Sequence, residues 1–361
     1  MIERIPKMEV EVNTQPNYQV KIENHLFQTI GKEIRHYWTP RKVMVVTDYT
    51  VQALYYDELQ EQLQKEGFEV FLFSFPEGER NKSLEIAEQL YEGLAEQGFN
   101  RGDGIIALGG GVVGDLTGFV AATYMRGIPF LQIPTTLLAQ VDSSIGGKTA
   151  VNLPFGKNLV GAFYQPDAVF IDPIMLQTLE WPYLAEGLAE VIKMAMIGDK
   201  ELWEHLQTLP LEKEAFFAQL PYIITRACQQ KADIVRQDPY DYGLRRKLNF
   251  GHTIAHALEA IDDYKGLRHG AAVAIGMVAI LQLAYKEQWI ENETMIEELI
   301  QLLEKFHLPT EYDEVGMDEI FEYIVRDKKG MKDEITLVLV NEIGQSFFKT
   351  ISYEELWEIL E

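Results

Sequence analysis

The sequence predicts an α/β N-terminal domain over residues 1–180 and a mainly α-helical domain over 181–361. Three observations predict it. Short apolar runs, the first of them β-branched, alternate with helical patterns through the first half. A glycine cluster sits where one of those runs meets a helix. From about residue 180 the apolar positions recur every three to four residues until near the chain's end. Alternating strands and helices argue for a parallel sheet covered on both faces. The glycine-bearing strand–helix junction gives that sheet a Rossmann-like character.

The elements follow in order. Lys42–Thr47 (KVMVVT) is the first strand, ending at Asp48, and Val51–Gln64 is a helix. Phe68–Phe75 is the second strand, broken by Pro76-Glu77-Gly78. Ser83–Glu96 is an amphipathic helix with Ser83 at its N-cap. Ile105–Leu108 runs into Gly109-Gly110-Gly111, and a helix spans about Val113 to Ala122. Phe130–Ile133 is the fourth strand. Beyond residue 180, helices are predicted at Tyr183–Ile197, Lys213–Arg236, Arg246–Asp262, Gly270–Lys286 and Asn292–Phe306. Ile335–Val340 and Gln345–Ile351 form a closing strand pair. No repeat or long linker interrupts the chain. A ligand site is expected between two such domains.

Composition narrows the function. A chain of 361 residues accommodates two or three domains. The formal net charge of −24 disfavours nucleic acid and anionic membranes as partners. An anionic small molecule would need a locally basic pocket. The single cysteine, Cys228, excludes an intramolecular disulfide and fits a reducing compartment. Met1–Val20 has no apolar signal-peptide core, and Gly270–Tyr285 is too short and too rich in small residues for a membrane span. A cytoplasmic protein is expected.

Gly109-Gly110-Gly111-Val112-Val113-Gly114-Asp115 carries the spacing G-x-G-x-x-G between a strand and a helix. Such glycines leave backbone N–H groups free to approach a pyrophosphate at the helix N-terminus. A tight turn with close helix–sheet packing would use the same residues, so both readings stand. The acidic ribose partner usually found about 20 residues further on is missing, since the next acidic residue after Asp115 is Asp142. Asp48, at the end of the first strand, is the natural substitute.

Residues 126–165 contain only four ionic side chains, Arg126, Asp142, Lys148 and Lys157, with a sum of +2. The stretch is otherwise apolar or small, so most of it is expected to be buried, and unpaired charges there are costly. An Asp142–Lys148 ion pair would account for one lysine. An anion pocket would account for all three cations. Asp142-Ser143-Ser144-Ile145-Gly146-Gly147-Lys148 lacks the glycine spacing of a Walker loop.

Arg245, Asn249, His252, His256 and Glu259 step by three and four, which on one helix places them on one face. Glu190 and Lys193 lie one turn apart amid apolar residues, and His269 precedes the apolar helix. Two imidazoles and a carboxylate suit a catalytic divalent ion with an open position. Glu190, His252 and His269 are the preferred ligands. The alternatives are a His252–His256 pair at i, i+4, or histidines that are merely satisfied core residues.

Together GGGVVGDLTGF (109–119), RGIPFLQIPTTLLAQVDSSIGGKTAVN (126–152), GKNLVGAFYQP (156–166), GLAEVIK (187–193) and LNFGHTIAHALEA (248–260) resemble the signature segments of 3-dehydroquinate synthases. The resemblance runs in order from about Thr47 to Asp327-Lys328-Lys329. It implies a nucleotide-binding N-terminal domain, a metal-binding C-terminal domain and a homodimer. NAD would be held by Asp48, Glu79, Lys82, Gly110, Gly111, Val112, Gly114, Asp115, Thr135, Thr136, Lys148, Lys157 and Thr178. A divalent ion, zinc or cobalt, would be held by Glu190, His252 and His269. Arg126, Asp142, Lys148, Lys157, Asn158, Lys193, Lys231, Arg245, Asn249, His256 and Lys328 (or Lys329) would line the substrate. Of these, Lys148, Lys193, Lys231, Arg245, Asn249 and His256 would be catalytic.

The implied reaction cyclises 3-deoxy-D-arabino-heptulosonate 7-phosphate. Transient oxidation by NAD acidifies a neighbouring C–H, phosphate leaves, the hydride returns, the ring opens and an aldol step closes the carbocycle. Two positions depart from the family pattern: Ala271 stands where Glu usually follows His-Gly, and Ala255 where Gly is common. The run Asp238-Pro239-Tyr240-Asp241-Tyr242-Gly243 is also less Glu-rich than usual. Rival readings are another sugar phosphate cyclase, an NAD- and metal-dependent polyol dehydrogenase of the same fold, and a non-enzymatic NAD-binding protein. The cations Arg126, Lys148, Lys157 and Lys231 argue against the dehydrogenase, which needs no pocket for both carboxylate and phosphate.

Overall fold

The computed structural model describes residues 8–154, 156–261, 267–312, 315–327 and 334–360. The chain forms two compact units, Met1–Leu179 with Lys213–Tyr240, and Glu180–Glu212 with Asp241–Glu361.

Among the described residues of the first unit lie nine strands: β1 (Met8–Val12), β2 (Tyr18–Ile22), β3 (Lys42–Asp48), β4 (Glu69–Phe75), β5 (Gly104–Gly109), β6 (Phe130–Pro134), β7 (Lys148–Leu153), β8 (Gly156–Phe163) and β9 (Ala168–Ile171). Seven of them build one sheet in the order β1-β2-β9-β6-β5-β3-β4. Within this sheet, among the described residues, only the β1–β2 pair is antiparallel. Side chains alternate between two cores, as strand geometry requires. Val43, Val45, Ile106 and Leu108 face Leu59 and Leu63 of the helix Asp57–Lys65. Met44, Val46, Ile105 and Ala107 face the helices Leu84–Glu96 and Gly111–Thr123. The helices following β3 and β5 therefore cover opposite faces. That makes the carboxyl ends of β3 and β5 a topological switch point, where open α/β sheets bind ligands.

The expected strands and helices of this half are present, and Ser83 Oγ accepts from Ile86 N–H as the predicted N-cap. β1, β2 and β9 add to them; each is five residues or fewer, too short to register as a period.

The expected burial holds for residues 128–147 and fails at the cations and in the segment that follows. Arg126 and Lys148 are exposed and Lys157 is half-buried. Lys148 and Lys157 are accessible because β7 and β8 form a two-stranded ribbon outside the main sheet. One side of that ribbon packs on the helix Gly111–Thr123, where a Cβ on Gly118 would meet Thr149 Cγ2 at 2.4 Å. The other side faces solvent. Asp142 pairs with Lys231, a partner that the sequence did not indicate.

Lys231 lies on the helix Lys213–Gln237, which belongs to the first unit although its neighbours in sequence do not. Lys231 Nζ donates to Asp142 Oδ1 at 2.7 Å and to its carbonyl at 2.6 Å. Cys228 Sγ donates to the Gln140 carbonyl at 3.3 Å. Burial pushes that thiol up to about 12.

The second unit is built on the helices Trp181–Gly198 and His269–Lys286, buried on nearly every side, as uniformly apolar helices must be. Among the described residues His269–Lys286 is long and apolar enough to cross a membrane, but 67% of it is buried in the protein. It is a core helix. The hairpin β10 (Glu334–Glu342) and β11 (Gln345–Ser352) matches the expected strand pair.

One helix differs from expectation. In place of Arg246–Asp262, a 3-10 turn spans Leu244–Asn249 and an α-helix spans His252–Ile261. Gly251 separates them at φ +76, a conformation that favours glycine over any other residue. Arg245 and Asn249 thus do not share a helix face with the histidines.

Candidate active site

Three helices of the second unit converge on Glu190. Glu190 is fully buried on Trp181–Gly198, and His252 and His269 are the first residues of their helices. Small residues allow this. A Cβ on Gly270 would lie 2.3 Å from Glu186 Cα, and one on Gly276 would lie 2.1 Å from the Gly251 carbonyl oxygen. Both helix pairs therefore touch backbone to backbone, and that contact sets the imidazoles against the carboxylate.

The resulting geometry is that of a metal centre. One ligand atom from each of Glu190, His252 and His269 lies within 4.8 Å of the others. Glu190 Oε1 is 3.2 Å from His269 Nε2 and 3.4 Å from His252 Nε2. Donors bound to a tetrahedral ion at 2.0–2.1 Å stand about 3.3 Å apart. The donor spacing thus fits zinc or an ion of similar size. The His252 Nδ1–H donates to the Phe250 carbonyl at 3.0 Å, which leaves Nε2 as the lone-pair nitrogen facing Glu190.

The electrostatics agree. Burial alone would raise the Glu190 pKa, but Lys193 and His252 hold it well below the carboxylate range. Lys193 Nζ contacts Glu190 Oε2 directly, and its side chain is only 2% exposed. Burial would lower His269, yet hydrogen bonds to Glu190 and Glu259 raise it to about 10. The two carboxylates thus favour a proton on His269 when no metal ion is bound.

The other expected substrate residues of this unit are placed unevenly. His256 is exposed, with its ring 5.4 Å from that of His252. Arg245 is buried and Asn249 exposed. Lys328 and Lys329 lie outside the described residues. Glu259, on the histidine helix but given no role by the sequence, sits with Oε1 3.4 Å from His269 Nδ1. Its step of three from His256 was the available signal.

Of the expected cofactor residues of the first unit, Asp48 and the Gly110–Asp115 loop lie at the switch point. Asp48 ends β3 and caps the next helix, accepting from Val51 N–H at 2.9 Å. Burial raises its carboxyl, partly offset by that N–H. Gly110 caps the helix Gly111–Thr123 at the end of β5, and Thr135 N–H donates to the Gly109 carbonyl at 3.0 Å. Thr136 Oγ1 accepts from Ala139 N–H at 3.2 Å. A Cβ on Gly110 would lie 3.1 Å from Thr136 Cγ2, and one on Gly114 would lie 2.8 Å from Gln132 Oε1. The loop glycines therefore serve close packing while opening a helix N-terminus at the crevice. A pyrophosphate fits that donor set.

Lys82 ties this loop to the ribbon: its Nζ donates to Asp115 Oδ2 at 2.5 Å and to Asn158 Oδ1 at 2.6 Å. Glu79 Oε1 accepts from Asn152 Nδ2 at 2.8 Å, a partner the sequence did not indicate. Thr178 stands apart from the glycine loop, after β9, where its hydroxyl meets Tyr55 OH at 2.8 Å.

Residues 72–186 match the family described as 3-dehydroquinate synthase N-terminal, and residues 187–330 the family described as 3-dehydroquinate synthase C-terminal. The chain belongs to the 3-dehydroquinate synthase family. A 3-dehydroquinate synthase of Enterococcus faecalis is 49% identical over 340 residues, 94% of each chain. One of Streptococcus suis is 48% identical over 356 residues, covering 98% of this chain and 100% of that one. Among solved structures, 2-deoxy-scyllo-inosose synthase complexed with carbaglucose-6-phosphate, NAD+ and Co2+ superimposes with a TM-score of 0.87 at 25% identity, covering 98% of this chain and 99% of that one. A 2-epi-5-epi-valiolone synthase from Streptomyces hygroscopicus with NAD+ and Zn2+ bound gives 0.84 at 26% identity, covering 95% of each.

Proposed function

We propose that the protein converts 3-deoxy-D-arabino-heptulosonate 7-phosphate to 3-dehydroquinate and phosphate, using NAD and one divalent ion. The convergence of Glu190, His252 and His269 at tetrahedral spacing, in a chain of this family, carries the reading. Zinc suits a set of two imidazoles and one carboxylate, and cobalt takes the same set. The two cyclases described above carry NAD+ with Co2+ or Zn2+, which supports the same pair here.

When bound, the dinucleotide and the ion supply transient hydride removal and polarisation of the reacting carbinol oxygen. The chain's own residues do the rest. Glu190, His252 and His269 hold the ion, and Lys193 keeps Glu190 ionised for it. Asp48, Glu79, Lys82, the Gly110–Asp115 loop, Thr135, Thr136, Lys148, Lys157 and Thr178 would hold NAD. Arg126, Lys148, Lys157, Lys231 and Arg245 bind the phosphate and carboxylate and stabilise developing enolate charge. Asp142 orients Lys231. Asn158 and Asn249 donate to oxygens of the substrate, with Lys328 closing the set. The exposed imidazole of His256 takes and returns a proton at a ring nitrogen.

A phosphate-release assay with the heptulosonate phosphate, run with and without chelator, tests this. Release without net NADH, abolished by chelator, is expected. Steady NADH from NAD and glycerol would instead mark a polyol dehydrogenase. Another sugar phosphate cyclase is the nearer rival. Identity of 49% to a dehydroquinate synthase against 25% to an inosose synthase favours the reading given. A homodimer in the cytoplasm completes the proposal, supported by the family, the acidic composition and the buried lone thiol Cys228.

A further inference from the structure

We infer that Glu259 is a positioning residue for the metal centre. It orients His269 and raises the affinity of the site for its ion without touching it; the inference rests on the metal-binding reading of the site. His269 presents its two ring nitrogens to two different carboxylates. Nε2 faces Glu190 Oε1 at 3.2 Å, and Nδ1 faces Glu259 Oε1 at 3.4 Å. An imidazole whose Nδ1–H is committed to a carboxylate has its lone pair on Nε2, the nitrogen aimed at the ion.

The placement of Glu259 supports the assignment. It is 4% exposed, on the helix that begins with the ligand His252. One rigid helix thus supplies a ligand at its first turn and, two turns on, the support for a ligand on a different helix. Glu186 is the other carboxyl nearby, but it faces Arg268 Nε at 3.6 Å. His252 needs no such carboxylate, because the Phe250 carbonyl already takes its Nδ1–H. The two imidazoles are therefore oriented by different means, one by backbone and one by side chain. Only the second can be removed by mutation without moving the chain.

Glu259→Gln keeps the size of the side chain and removes its charge. Zinc affinity, measured by competition with a chromophoric chelator, is expected to fall about 10- to 100-fold. The metal-free protein should still fold, and its affinity for NAD should stay unchanged. Turnover should return when zinc is saturating. An unchanged zinc affinity in a folded variant overturns the inference.

Should the variant not fold, 15N spectra of the zinc-loaded parent decide it. A protonated His269 Nδ1 supports the assignment, and a bare Nδ1 overturns it. The function fails separately. A parent chain that binds zinc but releases no phosphate from the heptulosonate phosphate refutes the proposed reaction and leaves the Glu259 comparison standing.

Discussion

Glu190 Oε1 lies 3.2 Å from His269 Nε2, across a separation of 79 residues in sequence. No local preference brings these atoms together. The contact exists because Gly270 lets the start of one apolar helix rest directly on the backbone of another. Packing, not loop geometry, is what shapes this centre. Sites held on rigid elements keep their ligand spacing better than sites carried on loops.

Replacing a ligand should separate metal binding from folding. His252→Ala is expected to abolish turnover and to weaken zinc binding by more than about 100-fold, exceeding the loss typical of an outer partner. Circular dichroism should change little, because His252 opens its helix and the core beneath it is made by Ile254, Ala255 and Leu258. A His252→Ala protein that retains zinc would remove His252 from the ligand set.

Gly276→Ala tests the packing argument without touching a polar group. The added methyl would stand 2.1 Å from the Gly251 carbonyl oxygen, a backbone atom with no rotamer to yield. Overpacking of this kind costs about 1–3 kcal/mol, occasionally more. The expected result is a lower melting temperature together with weaker zinc binding, as the His252 helix is pushed from the His269 helix. Normal zinc affinity in this variant would show that the crossing does not set the ligand spacing.

The sequence was most legible where period and chemistry coincide. Glu190, His252 and His269 stood out because polar groups in apolar helices need a purpose, and the structure brings them together. The β3, β4, β5 and β6 strands were legible from short apolar runs, of which β3 is rich in β-branched residues. What failed did so for local reasons. The helix pattern ran through Gly251 because one glycine in a periodic stretch does not announce φ +76. The β7–β8 ribbon was hidden because a scarcity of charge reads as burial, while a ribbon can expose backbone and small residues instead. The pairing of Asp142 with Lys231 spans 89 residues and has no sequence signature.

That pair gives a third prediction. Lys231 is 6% exposed in its side chain and Asp142 27%. Asp142→Asn leaves a nearly buried ammonium with a neutral partner, which should cost about 2–3 kcal/mol, below the figure for a wholly buried pair because Asp142 reaches solvent. Chemical denaturation of the metal-free protein measures it. Turnover should fall as well, since Lys231 is among the proposed phosphate- and carboxylate-binding cations. A variant as stable as the parent would make the pair dispensable to the fold.

The pH response of the metal centre can be given a sign. In the metal-free protein His269 is raised from 6.5 to about 10, as its bonds to Glu190 and Glu259 outweigh burial. Between those values the native chain holds a proton that the unfolded chain does not. The stabilisation is therefore complete below about pH 6.5 and is lost as pH rises through 10. Glu190, held below its ordinary 4.5 by Lys193 and His252 against burial, works the other way and loses its contribution only as pH falls into the acid range. Zinc and this proton compete for His269, so binding at pH 8 should release about one proton. Titration calorimetry at pH 8 in buffers of different ionisation enthalpy reads that number directly. A heat independent of buffer would mean that His269 is already neutral before the ion arrives.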